Sequence, residues 1–295
     1  MAGSSSIVAF LLTICCLLVS SSWATSRQED LLMMDRFHQW MEKHNRSYPT
    51  AEEKLHRFEV YRQNVVHIEA TNREGKLSYT LGENQFTDLT SEEFLATYTT
   101  PGPLFSGHRK NLFTKQDNLS ELTDVADTDE DGGVDMQVIT TRAEDVTEGG
   151  NAGHVNQQLV DCNGYGCTIG RSDGSYKWIG KNGGITTEAD YPYTWRQGAC
   201  DATKLTHHAA KIRNWRPIVR KDEVKLMEAV KRQPVTVNIE ASADFQNYQS
   251  GVFSGPCGYK PNHNVTIVGY GTDDATGKKY WIVKNSYGQG WGMDG

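Results

Sequence analysis

Two β-rich runs near the C-terminus constrain the fold more than any other feature of this chain. Asn264–Tyr270 and Lys279–Lys284 are rich in β-branched and aromatic residues. The TDDATGK stretch between them carries the Asp and Gly of a turn. The pattern predicts an antiparallel hairpin, in which opposed residues have numbers of constant sum. A turn centred near Asp274 or Ala275 sets that sum near 548–550, and the numbers of His263 and Asn285 total 548. The register therefore predicts that these two face one another at the open end, with Cβ atoms roughly 4.5–5.5 Å apart. A bulge would shift the pairing by one residue and part them. An imidazole held by an amide oxygen presents its other nitrogen, so His263 is a candidate base and Asn285 its orienter. The plainer alternative is a strand-capping histidine and an asparagine that serves the turn before Gly288.

Upstream, the chain divides by composition. Ile7–Val19 is apolar but too short to span a bilayer, and small residues Ser22 and Ala24 follow it. Residues 1–24 read as a secretory signal, which places the chain in the secretory pathway, extracellular or in a lysosome or vacuole, with no membrane contact after signal removal. In residues 25–100, Met33, Phe37, Trp40, Met41 and His44 share one helical face that Ser47-Tyr48-Pro49 terminates. A second helix runs from Glu52 to about Asn72. Glu53, Arg57, Tyr61, Asn64, Ile68 and Asn72 recur on it at steps of three and four, one stripe over five turns. Leu77, Tyr79 and Leu81 then alternate as in a short strand. Residues 101–150 are acid-rich and poor in large apolar groups, an exposed linker. Its TDEDGG lacks the ligand spacing of a calcium hand. From residue 151 the pattern is globular again: a short helix from Ser172 to Lys181, a helix from Asp222 to Arg232 with Val224, Met227 and Val230 on one face, and a strand at VTVNI, residues 235–239.

A net charge of −7 without a basic run argues against nucleic-acid and anionic-membrane partners. Beyond the signal stand four cysteines, Cys162, Cys167, Cys200 and Cys257. They contain no CxxC pair, so disulfides in one of three pairings are favoured over a metal site, and no cofactor is implied. Asn45, Asn118 and Asn264 each open an Asn-x-Ser/Thr sequon.

These stretches together closely resemble the papain-like cysteine peptidases. NHNV around His263 and KNSYGQGWG from Lys284 resemble the family's base and orienting-Asn motifs. QQLVDC, YGC, KNGGITTEADYPY, AVKRQPVTVNIEAS and FQNYQSGVFSGPCG fit the family in order. The six-residue stripe resembles the ERFNIN pattern of its inhibitory propeptide, with Tyr61 in place of Phe, and Gly82, Asn84, Phe86 and Asp88 fit its G-x-N-x-F-x-D. The resemblance covers roughly residues 30–98 and 157–295. It implies an α+β fold of papain-like type, a helical lobe plus a β-barrel lobe, incomplete here and preceded by a mostly helical propeptide. Residues 151–295 would be the partial peptidase domain. It further implies a Cys162–Cys200 disulfide, and substrate contacts by the backbone of Gly170, by Asn238 and Asn264 in the pocket for the substrate's second side chain, and by Trp291. Tyr287 stands where the family has a Trp over the His–Asn contact. Partners would be peptide or protein substrates, or a related cysteine peptidase bound by the propeptide.

The family's nucleophile precedes its His by about 130–150 residues, which lands near residues 113–133. No cysteine lies between Cys16 and Cys162, and the oxyanion-hole Gln has no match either. TRAEDVTE, residues 141–148, resembles a remnant of the family's mature N-terminus. The family's partners for Cys167 and Cys257 are also without a match. GRSDG, residues 170–174, fits the serine-hydrolase elbow G-x-S-x-G but lacks the strand that should precede it. The expectation is therefore a homologue of the cysteine-type endopeptidases that performs no thiol hydrolysis, with propeptide-type inhibition or non-catalytic peptide binding as alternatives.

Overall fold

The computed structural model describes residues 27–99, 139–140, 156–167, 172–194, 196–212, 215, 217–218, 222–258 and 260–295. Gly170, the sequon at Asn118, the TRAEDVTE stretch, the expected signal and the expected linker apart from residues 139–140 lie outside them; those two residues pair with a strand of the sheet rather than belonging to an exposed linker. The chain forms two compact units, one of residues up to 76 with 81–90, the other of 77–80 with residues from 91 onward.

The first unit is a helical pair. Helix α1 (residues 27–43) turns into α2 (Ala51–Glu74). Thr50 caps α2 by accepting the Glu53 N–H, and Gly75 ends it in the left-handed region at φ 61°. The predicted α1 face meets Tyr61 of the α2 stripe, together with Phe58 and Val65 from off that stripe, in one core of Phe37, Trp40, Phe58, Tyr61 and Val65, with Met33, Met41 and Tyr48 against it. Phe37 stacks on Trp40 and Tyr48 at ring separations of 5.9 and 6.2 Å. The α2 stripe holds the following segment through that segment's own backbone. Arg57 donates to the Asp88 carbonyl and Asn64 to those of Thr87 and Leu89. Asn72 accepts the Leu81 N–H and donates to the Leu81 carbonyl, while the Tyr61 hydroxyl donates to Glu83. Polar stripe residues thus satisfy backbone groups of the segment that follows the helix.

The second unit is α+β. Its elements are the first residues of β1 (Tyr79–Leu81), α3 (Ser91–Tyr98), β2 (Ile139–Thr140), α4 (Asn156–Cys162), α5 (Ser172–Asn182), α6 (Glu223–Val230), β3 (Val235–Ile239), α7 (Ala243–Gln246), β4 (Tyr248–Gly251), β5 (His263–Thr272) and β6 (Lys279–Lys284). Strands β2-β3-β5-β6 form one antiparallel sheet in that order. β2 and β6 are its edges, so in place of the expected barrel the described strands form an open sheet. Its core is aliphatic: Leu226, Val230, Val235, Val237, Val265 and Ile267. The α6 face is not the one predicted. Val224 is 62% exposed, whereas Leu226 and Val230, four apart, reach the sheet. Cys162 of α4 is bonded to Cys200, as expected. At the start of β1, Ser78 accepts the Val252 N–H, and the Thr80 and Ser250 hydroxyls bond at 2.7 Å.

Candidate functional site

β5 and β6 place the site. Alternation buries His263, Val265 and Ile267 on one face of β5. The pairing differs from the predicted register. Thr266 faces Lys284 and Ile267 faces Val283, a sum of 550, and a bulge between Ile267 and Gly269 raises the sum to 551 toward the turn. His263 and Asn285 are therefore diagonal rather than opposed. Both numbers are odd and the sum is even, so both side chains stay on one face, and a diagonal pair lies within reach of long side chains. The bulge makes this sum even; the turn-side sum of 551, carried on unbroken, would put the two side chains on opposite faces.

Beyond β6 the chain is folded back on itself. Asn285 donates its N–H to the Gly295 carbonyl at 2.9 Å, and Trp291 donates to that of Gly288. Gly288 at φ 85° supplies the left-handed turn that this reversal requires. The fold-back fixes Asn285, whose Oδ1 lies 2.8 Å from His263 Nε2 and accepts the Ser286 N–H at 2.7 Å. Because a backbone N–H bonds that atom, it is the oxygen, and His263 Nε2 must carry the proton it receives. His263 Nδ1 is left with the lone pair of a base.

The pair is buried, His263 at 8% and Asn285 at 9% exposure. Burial pushes the imidazole pKa below its ordinary value, and the Asn285 hydrogen bond offsets only part of that. The ring is then neutral at pH 7. Tyr287 covers it, stacked at 4.9 Å and 21°. Tyr287 is itself gripped: Phe94 and Tyr98 of α3 meet it edge-on at 5.6 and 6.0 Å, and its hydroxyl donates to the Tyr98 carbonyl at 3.4 Å. Burial raises the Tyr287 phenol well above its usual range.

The other predicted residues divide. Asn264 lies next to His263 on β5 and opposite Asn238 of β3. Its Oδ1 accepts from Ser172 Oγ, at the first turn of α5, at 3.0 Å. Asn238 is buried. Trp291 lies behind Tyr287 with 4% exposure, donating its indole N–H to the Phe245 carbonyl and packing on Phe245 and Tyr248. Ser172, dismissed as part of a chance elbow, is thus the neighbour of a predicted site residue. The grip of α3 on Tyr287 was not foreseen, although Phe94 and Tyr98, four apart on a short helix, were its signal. Cys167 and Cys257 are exposed and unbonded. Among the described residues no cluster of side chains could hold a metal ion, and no helix is long and apolar enough to cross a membrane.

A family profile described as papain family cysteine protease matches residues 138–295, and one described as cathepsin propeptide inhibitor domain matches residues 37–94. Fruit bromelain of Ananas comosus is 37% identical over 312 residues, covering 100% of this chain and 88% of that protein. Ananain of the same plant is 35% identical, covering 100% and 90%. Among solved structures, a recombinant stem bromelain precursor superposes with a TM-score of 0.72 at 34% identity, covering 90% of each chain.

Proposed function

Since this chain belongs to the papain family of cysteine proteases, with an inhibitory propeptide domain ahead of the protease domain, we propose that it keeps the family's base and orienter, His263 and Asn285, and has lost its thiol hydrolysis. One observation carries the proposal. A formed His–Asn pair stands in a sequence with no cysteine between Cys16 and Cys162, and Cys162 is consumed by Cys200. The family's chemistry needs a thiolate, held by an imidazolium, to attack the peptide carbonyl. A neutral His263 with nothing to deprotonate supplies no nucleophile, and removing one member of such a set costs orders of magnitude in rate. What remains is recognition of extended peptides beside β5, with the backbone of Gly170 and the amides of Asn238 and Asn264 as contacts and Trp291 as the support beneath. Entry to the secretory route is part of the reading, supported by the Ile7–Val19 run.

The test is peptide hydrolysis by the purified chain with and without a thiol-directed alkylator. No alkylator-sensitive cleavage is expected. Turnover abolished by alkylation would show that Cys167 or Cys257 has taken the nucleophile's place.

A second reading has its own support. The segment matching the inhibitor domain has a complete aromatic core of its own, so the chain can act as an inhibitor of a related cysteine peptidase. Titrating the full chain into an active papain-family enzyme should then reduce its rate. An unchanged rate at saturating concentration removes this reading.

A further inference from the structure

We propose that Asn45 is an N-glycan acceptor and that Asn264, which carries an equally valid sequon, is not. The sequence treats Asn45-Arg46-Ser47 and Asn264-Val265-Thr266 alike; the fold does not. Asn45 is the second residue past α1. Its N–H bonds the Glu42 carbonyl, and the Arg46 N–H bonds that of Met41 at 2.8 Å. This double closure is a Schellman turn with Asn45 at its left-handed position, φ 50°. Glycine is the usual residue there and asparagine the next best.

The turn sorts the three sequon side chains. Arg46 points inward, donating to the Gln85 carbonyl at 2.6 Å and reaching Asp88 at 4.0 Å. Asn45 and Ser47 are both exposed, so the acceptor amide and the hydroxyl that defines the sequon share the open side. Asn264 has the opposite setting. It lies within the sheet between β3 and β6, half-buried, and its Oδ1 holds Ser172 Oγ at 3.0 Å. A glycan on its Nδ2 would have to displace α5 from β5.

The co-substrate is a lipid-diphosphate-linked oligosaccharide. Asn45 Nδ2 forms a bond to the sugar C1, the C1–O bond to diphosphate breaks, the lipid diphosphate leaves with that electron pair, and the amide loses one proton. The inference rests on the secretory reading above, and the experiment separates the two. The full chain is expressed in a glycosylating host twice, once as it stands and once with residues 1–24 replaced by an unrelated strong signal. The peptides containing Asn45 and Asn264 are then analysed by mass before and after an amidase that converts glycosylated Asn to Asp. With the strong signal, most Asn45 should be occupied and Asn264 should not. Asn45→Gly, which suits the left-handed turn, should abolish the Asn45 glycan while the protein stays folded, and Ser47→Ala should do the same with Asn45 in place. A glycan at Asn45 only with the strong signal supports the acceptor and removes the secretory reading. An unmodified Asn45 in secreted protein, or a glycan on Asn264 in folded protein, overturns the proposal.

Discussion

The two units spend their aromatic residues in different places. In the propeptide unit, Phe37, Trp40, Phe58 and Tyr61 are the centre of the core. In the protease unit the fully buried sheet core is aliphatic, with Trp281 at its margin, and an aromatic group gathers beside His263, where Phe94, Tyr98, Phe245, Tyr287 and Trp291 are contiguous. One unit is held from its middle, whereas the other places its largest contacts at its candidate site. A site built from packing residues survives for as long as the fold needs the packing. The intact His263–Asn285 geometry therefore reports on folding before it reports on chemistry.

Truncating the centre of the first unit should have the largest effect. Phe37 is fully buried, so Phe37→Ala should cost about 3–5 kcal/mol, read as a lowered urea midpoint of the helical signal. A loss under about 1 kcal/mol would mean the aromatic cluster is not the unit's centre. In the protease unit, Ile267→Ala removes fewer atoms from a 2% exposed position and should cost about 2–4 kcal/mol. If it costs more than Phe37→Ala, the contrast between the two cores reverses.

A smaller effect concerns pH. Burial lowers the His263 pKa in the folded chain, so the folded state binds fewer protons than the unfolded one. The associated stability is complete above the unfolded value of 6.5 and is lost as pH falls through it toward the folded value. His44 in the propeptide unit shifts the same way, again through burial. Stability should fall in both units as pH falls through 6.5, and His263→Gln should flatten the slope in the protease unit alone. An unaltered slope in that variant would place the titration elsewhere.

Much of this was legible in advance, for identifiable reasons. The VTVNI strand was read correctly because period and burial agree there; α2 was found as a helix, but of its stripe only Tyr61 and Ile68 are buried. Ser172–Asn182 was found because Asn182-Gly183-Gly184 stops it. The register was misread by two because the turn is centred between residues 275 and 276, three in the sum from the expected 548, and the bulge before Gly269 takes back only one of the three. His263 and Asn285 still meet, because the bulge turns the odd sum beside the turn into an even one and so puts both side chains on one face. The α6 face was misread because three apolar residues at steps of three outvoted Leu226, and sheet packing chose the four-step pair. The α3 grip on Tyr287 joins segments 189 residues apart, and no local periodicity encodes such a contact.

The central claim is an imidazole held by Asn285 with no thiolate beside it. Its most direct test is an NMR titration of the His263 ring in the purified full chain, before and after alkylation of free thiols. A midpoint below 6.5 that alkylation does not move is the predicted result. A midpoint above that value that collapses on alkylation would reveal a thiolate–imidazolium pair and contradict the account.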